Sequence, residues 1–301
     1  MTSTIGFIGL GNMGAPMVRC LVRNGFSVVG YDAKPGAAAA LAAEPELSGH
    51  VTAASTLTDV ACAADIVITM LPDSKIVRHV VLGPDGHSGL AATWRPNTVL
   101  IDMSSSYPLD TRKLAEKLKP SQISVVDAPV SGGVGKAITG TLAIMTGGAA
   151  ATIDRVQSIL SAMGTVHRTG DLGSGHAIKA LNNYVSAAGL LATCEALLVA
   201  EKFGLDSTVA TKVINASTGR NNTTENKADR YLIPRKYDSG FALALMDKDV
   251  GMARTLASDL GIVAENLDFV SSQLGRALKA LGKEADHTAV MQFIEASETT
   301  D

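Results

Sequence analysis

From the start of the chain to about residue 170, short β-branched apolar runs alternate with stretches in which Ala and Leu recur at helical spacing. The runs are IGFIG, SVVGYD, DIVITML, NTVLID, ISVVDAP and TLAIMTGG. Strand, helix and strand repeated in this way predict βαβ units and a mostly parallel sheet. Beyond Gly175 the period changes. No further strand is predicted, and the apolar positions follow helical spacing through Ala177–Phe203, Ser207–Ala216, Leu243–Leu260 and Ala264–Leu281. The run TGDLGSG at 169–175 supplies a turn between the two regimes, so the chain is read as two domains, residues 1–170 and 171–301. The polar segment Thr218–Gly240, which contains Pro234, predicts a loop with a short helix, and the Ala run at 37–40 is placed on a helix.

Composition narrows the partners. The 301 residues are 46% hydrophobic and 18% charged, enough apolar material for a large core. With 26 Lys and Arg against 29 Asp and Glu and only 4% aromatics, the chain lacks both the basic surface and the stacking rings that nucleic acid requires. Cys20, Cys62 and Cys194 are odd in number and widely spaced; they read as buried thiols of a reducing cytoplasm, and no spacing suggests a metal site. The apolar run Ile5–Leu10 has no basic flank and is broken by Gly9, Gly11 and Gly14, unlike a signal peptide. Ala177–Ala200 carries Lys179, Asn182, Asn183 and Glu195, each costly in hydrocarbon, so it is read as a long helix buried in protein rather than a membrane span. The expectation is a cytoplasmic protein without a membrane partner.

The 29 glycines call for explanation, because glycine loses the most backbone freedom on folding. Gly9-Leu10-Gly11-Asn12-Met13-Gly14 follows the strand Ile5–Ile8 and opens a helix through Met17, Val18 and Leu21. In such a string Gly9 allows the tight turn, Gly11 lets backbone approach a pyrophosphate, and Gly14 permits close packing of helix on strand. The helix N-terminus adds unpaired N–H groups and a positive dipole end. The string alone also fits a plain strand-to-helix turn. Context favours a dinucleotide: the second strand, Ser27–Tyr31, ends in Asp32, 18 residues beyond Gly14 and suited to accept from ribose hydroxyls. A carboxylate there repels the 2′-phosphate of NADP, and no Arg follows immediately, which points to NAD; Lys34 keeps NADP open.

Two further stretches bear polar chemistry. Ser131-Gly132-Gly133 follows Asp127-Ala128-Pro129-Val130, and its exposed backbone N–H groups suit a carboxylate as well as they suit a simple turn. Gly173-Ser174-Gly175 leads into a helix on which Lys179 and Asn183, four apart, share one face. The continuation through Val185, Leu190, Leu191, Leu197 and Leu198 is apolar enough to bury that lysine and perturb its pKa. Seven glycines, Gly9, Gly11, Gly14, Gly132, Gly133, Gly173 and Gly175, are thus expected where backbone meets a ligand.

Taken together, GFIGLGNMGAPM, DAPVSGG with GTLAIMTGG behind it, GSGHAIKALNN, and FALALMDKD at 241–249 resemble the β-hydroxyacid dehydrogenase family, from Gly6 to about residue 290. The resemblance implies an α/β Rossmann-type N-terminal domain with an all-α C-terminal domain joined by a long helix. It implies an NAD(P)-dependent oxidoreductase acting on a short hydroxyacid, and assembly as a homodimer or homotetramer through the helical domain. By the same resemblance Lys179 matches the catalytic lysine and Asn183 the asparagine that hydrogen-bonds substrate. Ser131, Gly132 and Gly133 match the loop that holds the substrate carboxylate, and Lys248 matches a lysine on the nicotinamide side. Leu71 and Pro72 match a cofactor-lining pair. Ser105 stands where many members have Thr and keeps the hydroxyl; Ser104–Ser106 also fit a helix cap ahead of Pro108.

The reaction implied is hydride transfer between nicotinamide and a carbinol carbon, coupled to movement of the hydroxyl proton. Lys179 is assigned that proton, with burial and Lys248 lowering its pKa toward neutrality. His176 is read as a helix-start residue and Asp127 as a structural acceptor. Arg220 and Asn221 fit either a polar subsite, which favours glycerate or tartronate semialdehyde over 3-hydroxyisobutyrate, or an exposed loop. Three alternatives remain: an imine reductase, disfavoured because that branch commonly replaces the lysine with Asp or Tyr; a sulfonate-aldehyde reductase; and a catalytically silent dinucleotide-binding module, disfavoured because both Lys179 and the SGG loop are present.

Overall fold

The structure, a computed structural model, describes residues 4–297. The backbone divides into two compact units, one up to Lys179 and one from Ala180 onward. The first unit contains the strands β1 (Thr4–Ile8), β2 (Ser27–Tyr31), β3 (Val51–Ala53), β4 (Ile66–Thr69), β5 (Val99–Asp102), β6 (Ser124–Asp127), β7 (Val130–Ser131), β8 (Leu142–Gly147) and β9 (Gly164–Gly170). Between them run α1 (Gly14–Arg23), α2 (Ala37–Ala42), α3 (Leu57–Ala63), α4 (Ser74–Leu82), α5 (Pro108–Leu118), α6 (Gly133–Thr139) and α7 (Ala150–Ser161).

The strand order is β3-β2-β1-β4-β5-β6-β8-β7, with β9 beside β8; the first six strands are parallel and β8 is antiparallel to β6 and β7. Apolar side chains cover both faces. Ile5, Phe7, Ile68 and Ile101 belong to one buried layer, and Ile8, Val67, Leu100 and Val125 to the other. A parallel sheet buried on both faces reads as unbroken apolar runs, which is why β1, β4 and β5 were visible in the sequence. The pairing also fixes where the strands end: Tyr31 is opposite Ile8, Ile8 opposite Thr69, Thr69 opposite Asp102, and Asp102 opposite Asp127. The loops after β2, β1, β4, β5 and β6 therefore leave one edge of the sheet.

The helix α8 (Ser174–Phe203) runs on from the first unit into the second, which adds α9 (Ser207–Asn215), α10 (Asn222–Asn226), α11 (Leu243–Asp259), α12 (Glu265–Leu281) and α13 (Val290–Ser297). Its core gathers Leu190, Leu197, Leu243, Met246, Val250, Leu274, Val290 and Met291. The segment 218–240 holds α10 and a single turn of π-helix at Ala228–Leu232.

Several elements depart from the sequence reading. Strands β3, β7 and β9 and helix α13 were not predicted: β3 has one buried position in three, β7 has two residues, and β9 is a solvent-facing edge strand with no apolar alternation. Cys62 is exposed, whereas Cys20 and Cys194 are buried, and all three are free thiols. Among the described residues α8 is long and apolar enough to cross a membrane by length and composition alone. It is not buried throughout as expected. Leu190, Cys194 and Leu197 are covered, but Val185, Val199 and Phe203 are exposed in the single chain, Phe203 at 81%.

Candidate active site

The glycine string sits at the carboxyl edge of the sheet, immediately after β1. Gly9 N donates to Tyr31 O (2.9 Å) and Leu10 N donates to Asp32 Oδ2 (2.7 Å), so the loop is tied to the end of β2. The other carboxylate oxygen of Asp32 accepts from Lys34 N (2.7 Å), which holds the acid at the strand end. A Cβ on Gly9 would collide with Met70 O, and one on Gly14 with Gly9 O, whereas one on Gly11 would meet nothing within 4 Å. Helix α1 begins with no side-chain cap and no acid in its first turn. An open backbone position ahead of a helix start whose amides lack a side-chain acceptor is what an anionic pyrophosphate requires, so these residues fit a dinucleotide.

The loops after β4 and β5 are joined to one another. Leu71 N donates to Ser104 Oγ (2.9 Å), which brings Leu71 and Pro72 beside the segment that carries Ser105. Ser104 and Ser106 do not cap a helix. The N-cap of α5 is Tyr107, without a side-chain bond, and Ser106 Oγ instead donates to Asp102 Oδ2 (2.7 Å). Ser131 closes β7, and Gly132 and Gly133 open α6 with φ of 131° and 67°. Only Gly133 is open there, since a Cβ on Gly132 would strike the Lys136 side chain. Gly173 and Gly175 are packed against Pro108 O and Met145 O respectively. Of the seven glycines expected to meet a ligand, five are thus required by neighbouring protein atoms, and Gly11 and Gly133 alone face open space.

Asp127 has the structural role expected of it. Its two oxygens accept from Gly173 N (2.7 Å) and His176 N (2.8 Å), so a buried carboxylate holds the N-terminus of α8, where its charge suits the helix dipole. His176 is wholly buried and faces Ser104 and Thr111. Lys179, one position short of a full turn further on, is only 9% exposed.

In the second unit Asn183, one turn beyond Lys179 on α8 and 6% exposed, donates Nδ2 to Asp249 Oδ2 at 2.6 Å. Asp249, 2% exposed on α11, also has Oδ1 3.5 Å from Lys248 Nζ. One buried acid thereby gathers the two predicted substrate residues of this unit. Asp249 lies within the MDKD string, and its role emerges only from this pairing; an acid one position before the core residue Val250, on an apolar helix, is the signal in the sequence that points to it. Burial also pushes the carboxyl pKa of neighbouring Asp247 up. Asn221 is occupied as the α10 cap: Oδ1 accepts from Thr223 N (2.8 Å) while Nδ2 donates to Thr193 Oγ1 (3.2 Å). Arg220 is exposed and paired with Glu225 at 3.4 Å.

Residues 4–173 match the family described as the NAD binding domain of 6-phosphogluconate dehydrogenase, and residues 173–294 match the NAD-binding domain of NADP-dependent 3-hydroxyisobutyrate dehydrogenase. Over 295 residues the chain is 36% identical to 2-(hydroxymethyl)glutarate dehydrogenase of Eubacterium barkeri, covering 97% of this chain and 94% of the relative. Over 303 residues it is 34% identical to the mitochondrial 3-hydroxyisobutyrate dehydrogenase of Homo sapiens, covering 98% and 88%. The solved structure of Mycobacterium tuberculosis 3-hydroxyisobutyrate dehydrogenase with L-serine superposes with a TM-score of 0.86 at 33% identity, over 98% of this chain and 99% of that one. The chain belongs to the β-hydroxyacid dehydrogenase family, whose members are NAD(P)-dependent oxidoreductases acting on a hydroxyl group.

Proposed function

We propose that the chain transfers a hydride between NAD and the carbinol carbon of a short β-hydroxyacid, with Lys179 exchanging the hydroxyl proton. The observation that carries this reading is a lysine only 9% exposed, set in the first turns of α8 one turn from Asn183. A buried amine held beside the reacting carbon serves as base in oxidation and as acid in reduction. Bound nicotinamide supplies the hydride acceptor. Gly9, Leu10, Gly11, Asn12, Met13 and Gly14 hold the pyrophosphate on backbone amides, and Leu71, Pro72 and Ser105 line the cofactor. Ser131, Gly132 and Gly133 hold the substrate carboxylate, and Asn183 and Lys248, gathered by Asp249, orient the rest of the molecule. Because Nδ2 of Asn183 is turned to a carboxylate, its amide orientation is set before substrate arrives.

Asp32 supports NAD over NADP, since its carboxylate is held at the end of β2 by two backbone amides. The acids in the two relatives' names, 2-(hydroxymethyl)glutarate and 3-hydroxyisobutyrate, each carry a hydroxyl on the carbon β to a carboxylate, which supports that substrate class here. With Asn221 occupied in a helix cap and Arg220 paired with Glu225, a second acid group on the substrate finds less support than the simple acid. Exposed Val185, Val199 and Phe203 on α8, with Val209 and Val213 on α9, support burial against a second copy in a homo-oligomer. The test is NADH formation from 3-hydroxyisobutyrate, glycerate, threonate, serine, 4-hydroxybutyrate and sulfonate analogues, with NAD and NADP compared. Turnover of a β-hydroxyacid with NAD is expected, with Asp32→Asn shifting preference toward NADP; no turnover of any of these overturns the reading.

A further inference from the structure

The most unusual buried group that the proposed mechanism leaves unused is His176. Its side chain is 0% exposed, and it lies between two equally buried acids: Nε2 is 3.8 Å from Asp102 Oδ2 and Nδ1 is 3.8 Å from Asp127 Oδ2. Both ring nitrogens have closer partners. Nε2 is 3.1 Å from Ser104 O, and Nδ1 is 2.9 Å from Thr111 Oγ1. A carbonyl oxygen can only accept, so Nε2 donates to Ser104 O, while Nδ1 is hydrogen-bonded to the Thr111 hydroxyl, which also reaches Tyr107 O (3.3 Å).

The ring stands at a junction. Its own backbone N–H is held by Asp127 at the end of β6, at the N-terminus of the helix that carries Lys179 three residues on. The carbonyl it grips belongs to Ser104, whose Oγ accepts from Leu71 N and whose N–H donates to Asp102 Oδ1 (3.1 Å). Asp102 Oδ1 accepts in turn from Thr69 Oγ1 (3.0 Å). The loops after β4 and β5 and the start of α8 are thus joined in one buried polar network, in which His176 bonds directly to Ser104 from the helix.

We propose that His176 is a positioning residue: donating from Nε2 to Ser104 O, it ties the Ser104–Ser105 loop to the first turn of α8, and so fixes Lys179 relative to the cofactor rim formed by Leu71 and Ser105. The proposal rests on the reading of Lys179 as the proton-transfer group. A group outside the reacting atoms matters in this way because displacement of about 1 Å at a catalytic group costs about a hundredfold in rate.

The test compares His176→Leu, which keeps the bulk without the polar atoms, with His176→Gln, whose amide can donate to Ser104 O and accept from Thr111. In correctly folded His176→Leu, kcat is expected to fall about a hundredfold with little change in KM, and NADH affinity, read by fluorescence titration, is expected to weaken; His176→Gln is expected to regain both. Should His176→Leu fail to fold, Thr111→Val removes the Nδ1 partner together with a bond to Tyr107 O (3.3 Å), both of which the control Thr111→Ser keeps, and is expected to lower kcat in the same sense. Unchanged kcat and NADH affinity in a folded His176→Leu or Thr111→Val, or a Gln variant no better than Leu, overturns the proposal. If the unaltered chain turns over none of the hydroxyacids, the functional reading fails on its own account, and NADH affinity still decides whether His176 sets the cofactor rim.

Discussion

On the proposed reading, the groups offered to a ligand at the carboxyl edge of the N-terminal sheet are backbone amides, whereas in the C-terminal unit they are side chains. After β1 the chain presents an uncapped helix start and an open Gly11, and Asp32 is locked by two amides. On α8 and α11 the corresponding features are Asn183 and Lys248, gathered by the buried Asp249. A backbone site needs room, so it leaves glycines in the sequence. A side-chain site needs a fixed orientation, supplied by a buried charged partner that no short string announces. The comparison predicts that binding and chemistry can be separated by mutation.

The largest separation is expected from Lys179→Ala, which should lower kcat by about 10²–10⁴-fold, the usual share of general acid–base catalysis, while NADH still binds with its original affinity. Loss of NADH binding in that variant would break the distinction between backbone binding and side-chain chemistry. Next in size is a glycine pair. Gly14→Ala forces a Cβ against Gly9 O and is expected to cost about 1–3 kcal/mol of stability together with cofactor binding. Gly11→Ala meets no protein atom, so melting temperature should hold while NADH affinity drops. Equal melting temperatures for the two variants would remove the difference between a packing glycine and a ligand-facing one.

Asn183→Ala takes the donor from a buried carboxylate, and about 1–3 kcal/mol is expected, seen as lower thermal stability and a raised KM for the hydroxyacid. The smallest effect concerns acid sensitivity away from the site. Burial pushes the Asp286 carboxyl pKa up, but hydrogen bonds from His287, Thr288 and Ser239 outweigh it and hold the group well below its ordinary range. A pKa depressed by folding adds stability that is complete above the unfolded value, near pH 4, and is lost as pH falls below it. The melting-temperature gap between the unaltered chain and Asp286→Asn should therefore narrow from about pH 4 downward; a gap independent of pH would refute this.

Legibility in the sequence followed the same division. The strands buried on both faces, the glycine loop and Asp32 were readable because apolar runs and glycine spacing record geometry directly. The edge strand β9 was not, since GTVHRTG is largely exposed and carries no alternation to read. Lys179 and Asn183 could be placed on one helix face by spacing, but their roles came from resemblance to a family. Asp127 was legible as a structural acceptor and His176 as a helix start, but the network that joins them to Asp102 and Ser104 was not, because nothing local marks a polar residue as buried when its partners lie on other strands and loops. Asn221 was ambiguous for a related reason: a polar residue in a polar segment reads equally as ligand contact or exposed loop, and the structure makes it the α10 cap.

Hydride transfer from the carbinol carbon is most directly tested with 3-hydroxyisobutyrate deuterated at that carbon and unlabelled NAD. The account predicts one deuterium, transferred as deuteride, in the reduced nicotinamide for each aldehyde formed, at a rate that collapses in Lys179→Ala. Deuterium released to solvent, or an undiminished rate without Lys179, would contradict it.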